Sequence, residues 1–218
     1  MTEQLLDRLR RLDCCTVSDA LDRLSLTGVV SGFPRRSGQG VLAGRATTML
    51  LDVGDPIPGP VRHLGCLAIE ASGPDEVIVV QQRAQIEAGC WGGLLTLAAK
   101  TRGVAGVIAD GHVRDIDEAA ALDFPIYSRG VTALTARGRI VEKAVNAPVE
   151  IGGRRIEPGD FAIADASAVI FISAGDIRRV LEAAEAIAAR EQQMAAALRD
   201  GATPSAVMGA AYEHLLKR

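Results

Sequence analysis

The stretch from residue 87 to residue 130 constrains the fold most, because helical and strand patterns of apolar residues alternate along it. Apolar residues at helical spacing follow Gly92–Gly93, and Gly103 is predicted to end that helix. The apolar run Val104–Ala109 predicts a buried strand, after which we expect Asp110–Gly111 to turn the chain. This alternation of helix and strand is typical of an α/β protein.

Three polar side chains follow the predicted strand and its turn. They are His112, Arg114 and Asp115, and open α/β sheets bind ligands outside the carboxyl ends of their strands. An arginine fork binds a carboxylate through two parallel hydrogen bonds. An aspartate can hold Mg²⁺ or Mn²⁺ while waters complete the coordination. The pattern therefore predicts a site for a small carboxylic acid and a divalent cation.

The start of the helix before this strand is a second candidate binding element. The first N–H groups of a helix have no partner within it, so they can bind an anion, and glycine lets a ligand approach the backbone closely. Gly92, Gly93, Leu94 and Leu95, together with Arg114, form the predicted substrate-binding set. A helix-capping glycine pair and a solvated Arg–Asp pair would explain the same residues without a ligand.

Composition limits the class of protein. A chain of 218 residues with 48% hydrophobic residues can bury a sizeable core, and we treat residues 1–218 as a single domain. The net charge of −3, without a long basic run, argues against a nucleic-acid partner. No apolar run approaches the length of a membrane span, and charges interrupt the first helix, so neither a membrane partner nor a secretion signal is expected.

The four cysteines predict a cytoplasmic protein with reduced thiols. Cys14, Cys15, Cys66 and Cys90 have no C-x-x-C spacing, which disfavours a metal or redox motif. Cys90 lies beside the predicted substrate site, where it is either a nucleophile or a small buried filler.

The remaining segments supply further helices and strands around this centre. The predicted elements are a helix at 3–12, a second helix capped by Thr16 or Ser18, a loop at 31–40, a strand at 41–53 with a bulge at Gly44, a helix at 61–71, a strand at 77–82, a hairpin turning at Gly152–Gly153, a strand at 168–173, a helix at 176–199 and a last helix from Thr203 with apolar contacts at Tyr212, Leu215 and Leu216.

The central stretch also resembles a known family. The segments WGGLLTLAAKTRGVAGVIADGHVRD and FPIYSRG are similar to those of the regulator of ribonuclease E activity A and of the class II 4-hydroxy-4-methyl-2-oxoglutarate and 4-carboxy-4-hydroxy-2-oxoadipate aldolases. The resemblance extends over roughly residues 5 to 200. It implies a swivelling-domain-like β/β/α core with flanking N- and C-terminal helices, assembled as a homotrimer or hexamer.

The resemblance also implies an activity. It is Mg²⁺- or Mn²⁺-dependent cleavage of a C–C bond in a small 2-oxo acid, by a retro-aldol reaction or by oxaloacetate decarboxylation through a pyruvate enolate. Arg114 would bind the substrate, Asp115 would hold the metal, and Glu191 of a neighbouring subunit would act on the metal through a water. His112 is either a general acid or base or a surface histidine on a turn.

Two residues depart from the family pattern. Gly93 stands where the aldolases have a carboxylate, and Gln82 stands where the family usually has Asp. A Glu at position 93 would be expected to restore the missing acid. The alternatives are a non-catalytic binding or regulatory protein of the ribonuclease-regulator kind, and a family member repurposed to different chemistry.

Overall fold

The computed structural model describes residues 2–209, in which helices flank and cover a large mixed sheet. The helices are α1 (Thr2–Leu9), α2 (Cys14–Arg23), α3 (Cys66–Glu70), α4 (Gly93–Thr101), α5 (Ile116–Ala121), α6 (Ile177–Arg199) and α7 (Pro204–Val207). The strands are β1 (Val29–Val30), β2 (Arg35–Ser37), β3 (Leu42–Asp52), β4 (Glu76–Gln82), β5 (Gly89–Trp91), β6 (Gly106–Val113), β7 (Ile126–Val131), β8 (Val141–Val145), β9 (Val149–Ile151), β10 (Arg154–Ile156), β11 (Phe161–Ala164) and β12 (Val169–Ile172). The contacts predicted for Tyr212, Leu215 and Leu216 lie outside the described residues.

Parallel strands form the centre of the sheet. Its order is β1-β12-β11-β3-β4-β6-β7-β2, with β5 pairing to β6 and β8 to β3. β3, β4, β6 and β7 run parallel to one another, while β2, β8, β11 and β12 add antiparallel pairs. The carboxyl ends of the four parallel strands therefore meet at one edge, where open sheets of this type bind ligands.

The sheet has a different cover on each face. Helices α3, α4 and α5 bury apolar side chains against Ile78, Val80 and Val107 on one face. The β9–β10 hairpin packs against Val77 and Val79 on the other face. Helices α1, α2 and α6 form a further cluster with β11 and β12. The predicted α/β fold, with a β/β/α core and flanking terminal helices, is confirmed.

The prediction of a turn at Asp110–Gly111 is wrong, because β6 continues through both residues to Val113. Asp110 pairs with Gln81 of β4 in parallel register. A Cβ on Gly111 would lie 2.9 Å from the Cβ of Gln82 and 3.1 Å from the Sγ of Cys90. The glycine is thus needed for close packing beneath the strand, and not for chain reversal.

Several predicted boundaries also change. Asp13 caps α2, with its Oδ1 accepting from the Thr16 N–H at 2.8 Å, so neither Thr16 nor Ser18 is the cap. The helix predicted at 61–71 shortens to α3, and the loop predicted at 31–40 contains β2. Gly44 pairs in register with Ala162 of β11 and forms no bulge; a Cβ there would lie 2.9 Å from the Asp75 carbonyl oxygen.

The cysteines have contrasting environments. Cys14 and Cys90 are buried, Cys66 is half-buried and Cys15 is exposed, and all four are free. At the start of α2, the Cys14 N–H donates to Asp165 Oδ2 at 2.8 Å and its thiol donates to the Ala168 carbonyl. Burial is the main cause that raises the pKa of the Cys14 thiol well above its ordinary value. In the described part of the chain no helix is long and apolar enough to span a membrane.

Candidate functional site

The chain passes from β6 to α5 through a residue with a left-handed backbone. Asp115 has φ 58° and ψ 42°, a conformation that non-glycine residues rarely adopt. Its Oδ2 accepts a hydrogen bond from the N–H of Gly93, the first residue of α4, at 2.9 Å. Strain of this kind costs about 1–3 kcal/mol and persists where the surroundings fix it, often at functional positions. Asp115 thereby ties the end of β6 to the start of α4.

Arg114 lies against a backbone made of glycine. A Cβ on Gly89 would lie 2.9 Å from the Arg114 Cδ, and a Cβ on Gly92 would lie 3.1 Å from the Arg114 Cγ. The Nε of Arg114 contacts both carboxylate oxygens of Asp115, at 3.2 and 3.3 Å. The two glycines therefore give the arginine stem room to lie along the start of α4, beside the aspartate.

The four positions predicted to bind substrate at the start of α4 differ in environment. Gly92 is the N-cap and its carbonyl accepts from the Thr96 N–H, while the Gly93 N–H is already engaged by Asp115. The Leu94 side chain is 84% exposed, whereas Leu95 is buried in the core beneath. The binding of a substrate by these backbone amides stays a prediction, with one amide already used by a site carboxylate.

Glu118 lies beside the candidate site, and the sequence interpretation did not include it. A Cβ built on Gly93 would lie 1.9 Å from Glu118 Oε2 and 3.3 Å from the Asp115 Cβ. The carboxylate of Glu118 therefore fills the space above Gly93. Gly93 is buried, whereas Glu118 is exposed. The available signal was its position three residues after Asp115, which places both on one side of the first turn of α5.

His112 lies apart from this group. It belongs to β6, where alternation puts its side chain on the face opposite to Val113 and hence opposite to the α4 and α5 core. Its ring covers Gly130 of β7, where an added Cβ would lie 2.5 Å from the His112 Cδ2. His112 is half-buried within a strand, so its interpretation as a surface residue on a turn is wrong. A catalytic role for His112 stays a prediction.

Glu191 lies at the packing of α6 against α2. Burial, followed by the charges of Asp19 and Asp13, raises the pKa of its carboxyl group above the ordinary value. Those two charges belong to α2 and its cap, so within one chain Glu191 faces α2. Its predicted action on a site in a neighbouring subunit remains a prediction.

The chain turns from β6 into α5 at Arg114 and Asp115, and this place is called the β6–α5 corner. The carboxylates there suit a hard divalent cation. Asp115 and Glu118 both approach the side-chain position of residue 93, and carboxylate oxygen is the donor that Mg²⁺ and Mn²⁺ prefer. Among residues 2–209 no group of three or more His, Cys, Asp or Glu is arranged to hold a metal. A cation here would take one or two protein carboxylates and keep waters or substrate oxygens, which is the usual habit of Mg²⁺.

The residues beneath the corner are structural. Gln82 is buried and its Nε2 donates to the Ala88 carbonyl at 3.1 Å, a bond that an ionised Asp could not donate. Cys90 is fully buried, and burial raises the pKa of its thiol to about 12, so the thiol stays protonated at neutral pH. The interpretation of Cys90 as a buried filler is confirmed.

Arg129 pairs with a carboxylate of β6. Its Nε donates to Asp110 Oδ1 at 2.8 Å, its Nη1 donates to the Ser31 carbonyl at 3.0 Å, and its guanidinium lies 4.2 Å from the centre of the Phe33 ring. The other Asp110 oxygen accepts from the Gly152 N–H at 3.0 Å. These contacts fasten the 31–33 segment and the β9–β10 hairpin to β6.

A cavity of about 500 Å³ lies away from the corner. Residues 56–64 and 136–142 supply most of its lining, including Arg62, His63 and Glu142. The Gly65 N–H donates to Glu142 Oε2 at 2.7 Å, and burial is the main cause that raises the pKa of this carboxyl group. Neither Arg114 nor Asp115 lines this cavity.

Comparisons with known proteins agree with the fold and the sequence pattern. The RraA-like family, described as Aldolase/RraA, matches residues 14–171. A protein of Halalkalibacterium halodurans named "Putative 4-hydroxy-4-methyl-2-oxoglutarate aldolase" is 31% identical over 194 residues, which cover 88% of each chain. An uncharacterized protein of Pseudomonas syringae pv. tomato has a similar structure, with a TM-score of 0.83, 27% identity and coverage of 95% of this chain and 98% of that one.

A third relative comes from the regulatory side of the family. Streptomyces coelicolor RraAS2, described as an unusual member of the RNase ES inhibitor RraA protein family, superposes with a TM-score of 0.75 at 25% identity, covering 87% of this chain and 94% of its own. Aldolase names and inhibitor names thus both occur among proteins similar to this one. The extent of the match over residues 14–171 shows that the chain belongs to the RraA-like family.

Proposed function

We propose that the chain is a divalent-metal-dependent lyase that cleaves a C–C bond in a small 2-oxo acid. The observation that carries the proposal is the pairing of Arg114 and Asp115 at the carboxyl end of β6, against the glycine backbone that opens α4. The reaction is retro-aldol cleavage or decarboxylation of oxaloacetate, both of which pass through a pyruvate enolate. The aldolase name of the Halalkalibacterium halodurans relative supports the same class of reaction.

Each residue has a defined part in this reaction. Arg114 binds the substrate carboxylate. Both of its side-chain hydrogen bonds within residues 2–209 come from Nε, so its terminal nitrogens make none to the described residues. Asp115 supplies the protein carboxylate for Mg²⁺ or Mn²⁺. A bound Mg²⁺ would supply Lewis-acid polarisation of the 2-oxo group. The amides of Leu94 and Leu95 face the enolate or the carboxylate of the substrate.

We further propose that the protein assembles as a homotrimer or hexamer in which subunits share sites. The outer side of α4 next to the site carries Leu94 and Leu97, which are 84% and 50% exposed. Apolar side chains spaced three apart form one strip on a helix, and contact with a second subunit would remove that strip from water. In such an assembly Glu191 of a neighbouring subunit reaches the site. A monomer in light scattering at micromolar concentration would remove this part of the proposal.

A binding protein of the ribonuclease-regulator kind is the second candidate. Gly93 favours it, because the site lacks the acid expected at that position, and the exposed Leu94 and Leu97 offer an apolar contact surface for another protein. The description of the Streptomyces coelicolor relative as a member of an RNase inhibitor family supports this alternative.

A turnover screen separates the two candidates. Wild type, Arg114→Ala and Asp115→Asn are each incubated with a panel of 2-oxo acids, including oxaloacetate, with and without Mg²⁺. The lyase predicts pyruvate release that requires Mg²⁺ and falls by about 10²-fold or more in both variants. If the folded and assembled wild type releases pyruvate from no member of the panel, the lyase proposal is wrong and the binding protein is favoured.

A further inference from the structure

We propose that Glu118 is the proton-transferring carboxylate of the lyase site. The proposal rests on the lyase function above and adds to it a residue that the sequence pattern did not indicate. Its basis is that the Glu118 carboxylate fills the side-chain space of Gly93, between the start of α4 and the Asp115 side chain.

The space beside the Gly93 Cα has room for only one side chain. An added Cβ would lie 1.9 Å from Glu118 Oε2 and 2.8 Å from Glu118 Cδ, so a side chain at position 93 and the present position of Glu118 exclude each other. The backbone of Gly93 lies in the ordinary helical region, which any residue can adopt, so its conformation does not require glycine. The absence of a side chain at position 93 is therefore what admits Glu118 from α5.

Retro-aldol cleavage needs a group that takes up one proton and returns it. As the C3–C4 bond breaks, the base removes the proton from the C4 hydroxyl and that carbon becomes a carbonyl. The electron pair of the broken bond moves to C3 and forms the enolate of the 2-oxo acid. The same group then delivers its proton to C3, so the reaction needs no outside acid, oxidant or reductant.

The other titratable groups near the corner are unsuitable for this step. Arg114 contacts Asp115 and is assigned to the substrate carboxylate. Asp115 is engaged by the Gly93 N–H and by Arg114. Cys90 is fully buried with a pKa raised to about 12, and the His112 ring covers Gly130 on the opposite face of the sheet. Glu118 combines an exposed carboxylate with a position directly above the start of α4.

Proton exchange of pyruvate provides a readout that does not require C–C cleavage. The wild type with Mg²⁺ in D₂O should exchange the methyl protons of pyruvate, followed by NMR, because Glu118 removes a proton from C3 and returns a deuteron. Glu118→Gln should slow this exchange by about 10²- to 10⁴-fold, the usual contribution of positioned proton transfer. Asp117→Asn is the matched control, since it removes the same charge one residue earlier on α5 and should leave exchange within about twofold of wild type.

Ligand binding distinguishes a proton-transfer role from general damage to the site. Mn²⁺ binding in the presence of oxalate, which resembles the enolate, should be the same for wild type, Asp117→Asn and Glu118→Gln within about threefold. A loss of Mn²⁺ affinity in Glu118→Gln alone that matches its loss of exchange would overturn the proton-transfer assignment, because Glu118 would then be a metal ligand.

Gly93→Glu completes the test as a cycle of single and double variants. In the wild type the new carboxylate displaces that of Glu118, so exchange should change little. In the Glu118→Gln background the same substitution should restore about 10-fold or more of the lost exchange. An equal gain from Gly93→Glu in both backgrounds would show that the two positions act independently, which contradicts the proposal.

The lyase and the Glu118 assignment can fail separately. Pyruvate exchange without cleavage of any 2-oxo acid removes the proposed lyase reaction, while the effect of Glu118→Gln on exchange still decides the role of Glu118. Exchange in Glu118→Gln equal to wild type, or no exchange in the wild type, overturns the assignment of Glu118 whatever the cleavage screen shows.

Discussion

The β6–α5 corner and the α2–α6 interface both bring carboxylates together, but the groups around them differ. At the corner, the carboxylate of Asp115 accepts from the Gly93 N–H and contacts the Arg114 guanidinium. At the interface, Glu191 lies near Asp19 and Asp13, and burial together with these charges raises its pKa. The contrast shows that a cluster of acids becomes a candidate site when hydrogen-bond donors beside it hold a carboxylate in place.

The largest effect should follow from removing the Arg114 guanidinium from the β6–α5 corner. Arg114→Ala should lower kcat/KM for a 2-oxo acid by about 10³-fold, while Arg114→Lys should lose less because it keeps the charge without the fork. Steady-state kinetics and thermal unfolding of both variants measure this. An equal loss of activity in Glu191→Gln and Arg114→Ala would contradict the distinction between the two regions.

The next effect separates the charge of Asp115 from its backbone conformation. Asp115→Asn should keep the fold, because Asn tolerates the left-handed region and retains an oxygen for the Gly93 N–H, but should weaken Mg²⁺ binding by about 10-fold or more. Asp115→Ala should also lower the free energy of unfolding by about 1–3 kcal/mol through strain and a lost acceptor. Calorimetric titration with Mg²⁺ and denaturant unfolding test the pair. Equal stability of the two variants would contradict this account of the left-handed residue.

A third prediction concerns Gln82, where an acidic side chain would replace a hydrogen-bond donor below the β6–α5 corner. Gln82→Glu removes the N–H that donates to the Ala88 carbonyl and places a carboxyl group against that oxygen in a buried position. It should destabilise the fold by about 1–3 kcal/mol and should not raise activity. Gln82→Met, which removes the donor without adding an acid, is the control in urea unfolding. A gain in lyase activity from Gln82→Glu would show that position 82 is part of the site.

The smallest effect should come from the interface acid. Because the pKa of Glu191 is raised in the folded state, the fold holds its proton more tightly than the unfolded chain, and stability falls as pH rises from the ordinary value of 4.5 through the raised one. Glu191→Gln should therefore raise stability slightly at pH 7, by no more than about 0.5 kcal/mol, and change it least near pH 4. Thermal unfolding at the two pH values measures this difference. A loss of activity in the same variant is a separate effect, which is expected if Glu191 acts on the site of a neighbouring subunit as proposed.

The sequence indicated Arg114 and Asp115 because a buried strand followed by polar residues is a local pattern. The same local reasoning misread Asp110–Gly111, since Asp-Gly is a strong turn signal and the packing of Gln82 and Cys90 under Gly111 is visible only in the fold. Glu118 was missed for a related reason. Its carboxylate reaches Gly93 through the packing of α5 against α4. The spacing from Asp115 places Glu118 on the same side of α5 but does not show that this side meets Gly93.

The adjacent Cys14 and Cys15 allow the local opening of α2 to be measured by thiol labelling. Cys15 is exposed, so a thiol reagent should label it in the folded protein, whereas Cys14, the first residue of α2, is buried and its thiol donates to the Ala168 carbonyl. Burial holds the Cys14 thiol in its unreactive protonated form. A reagent can therefore label Cys14 only after α2 separates from β12. The ratio of the two labelling rates therefore reports how often α2 separates from the sheet.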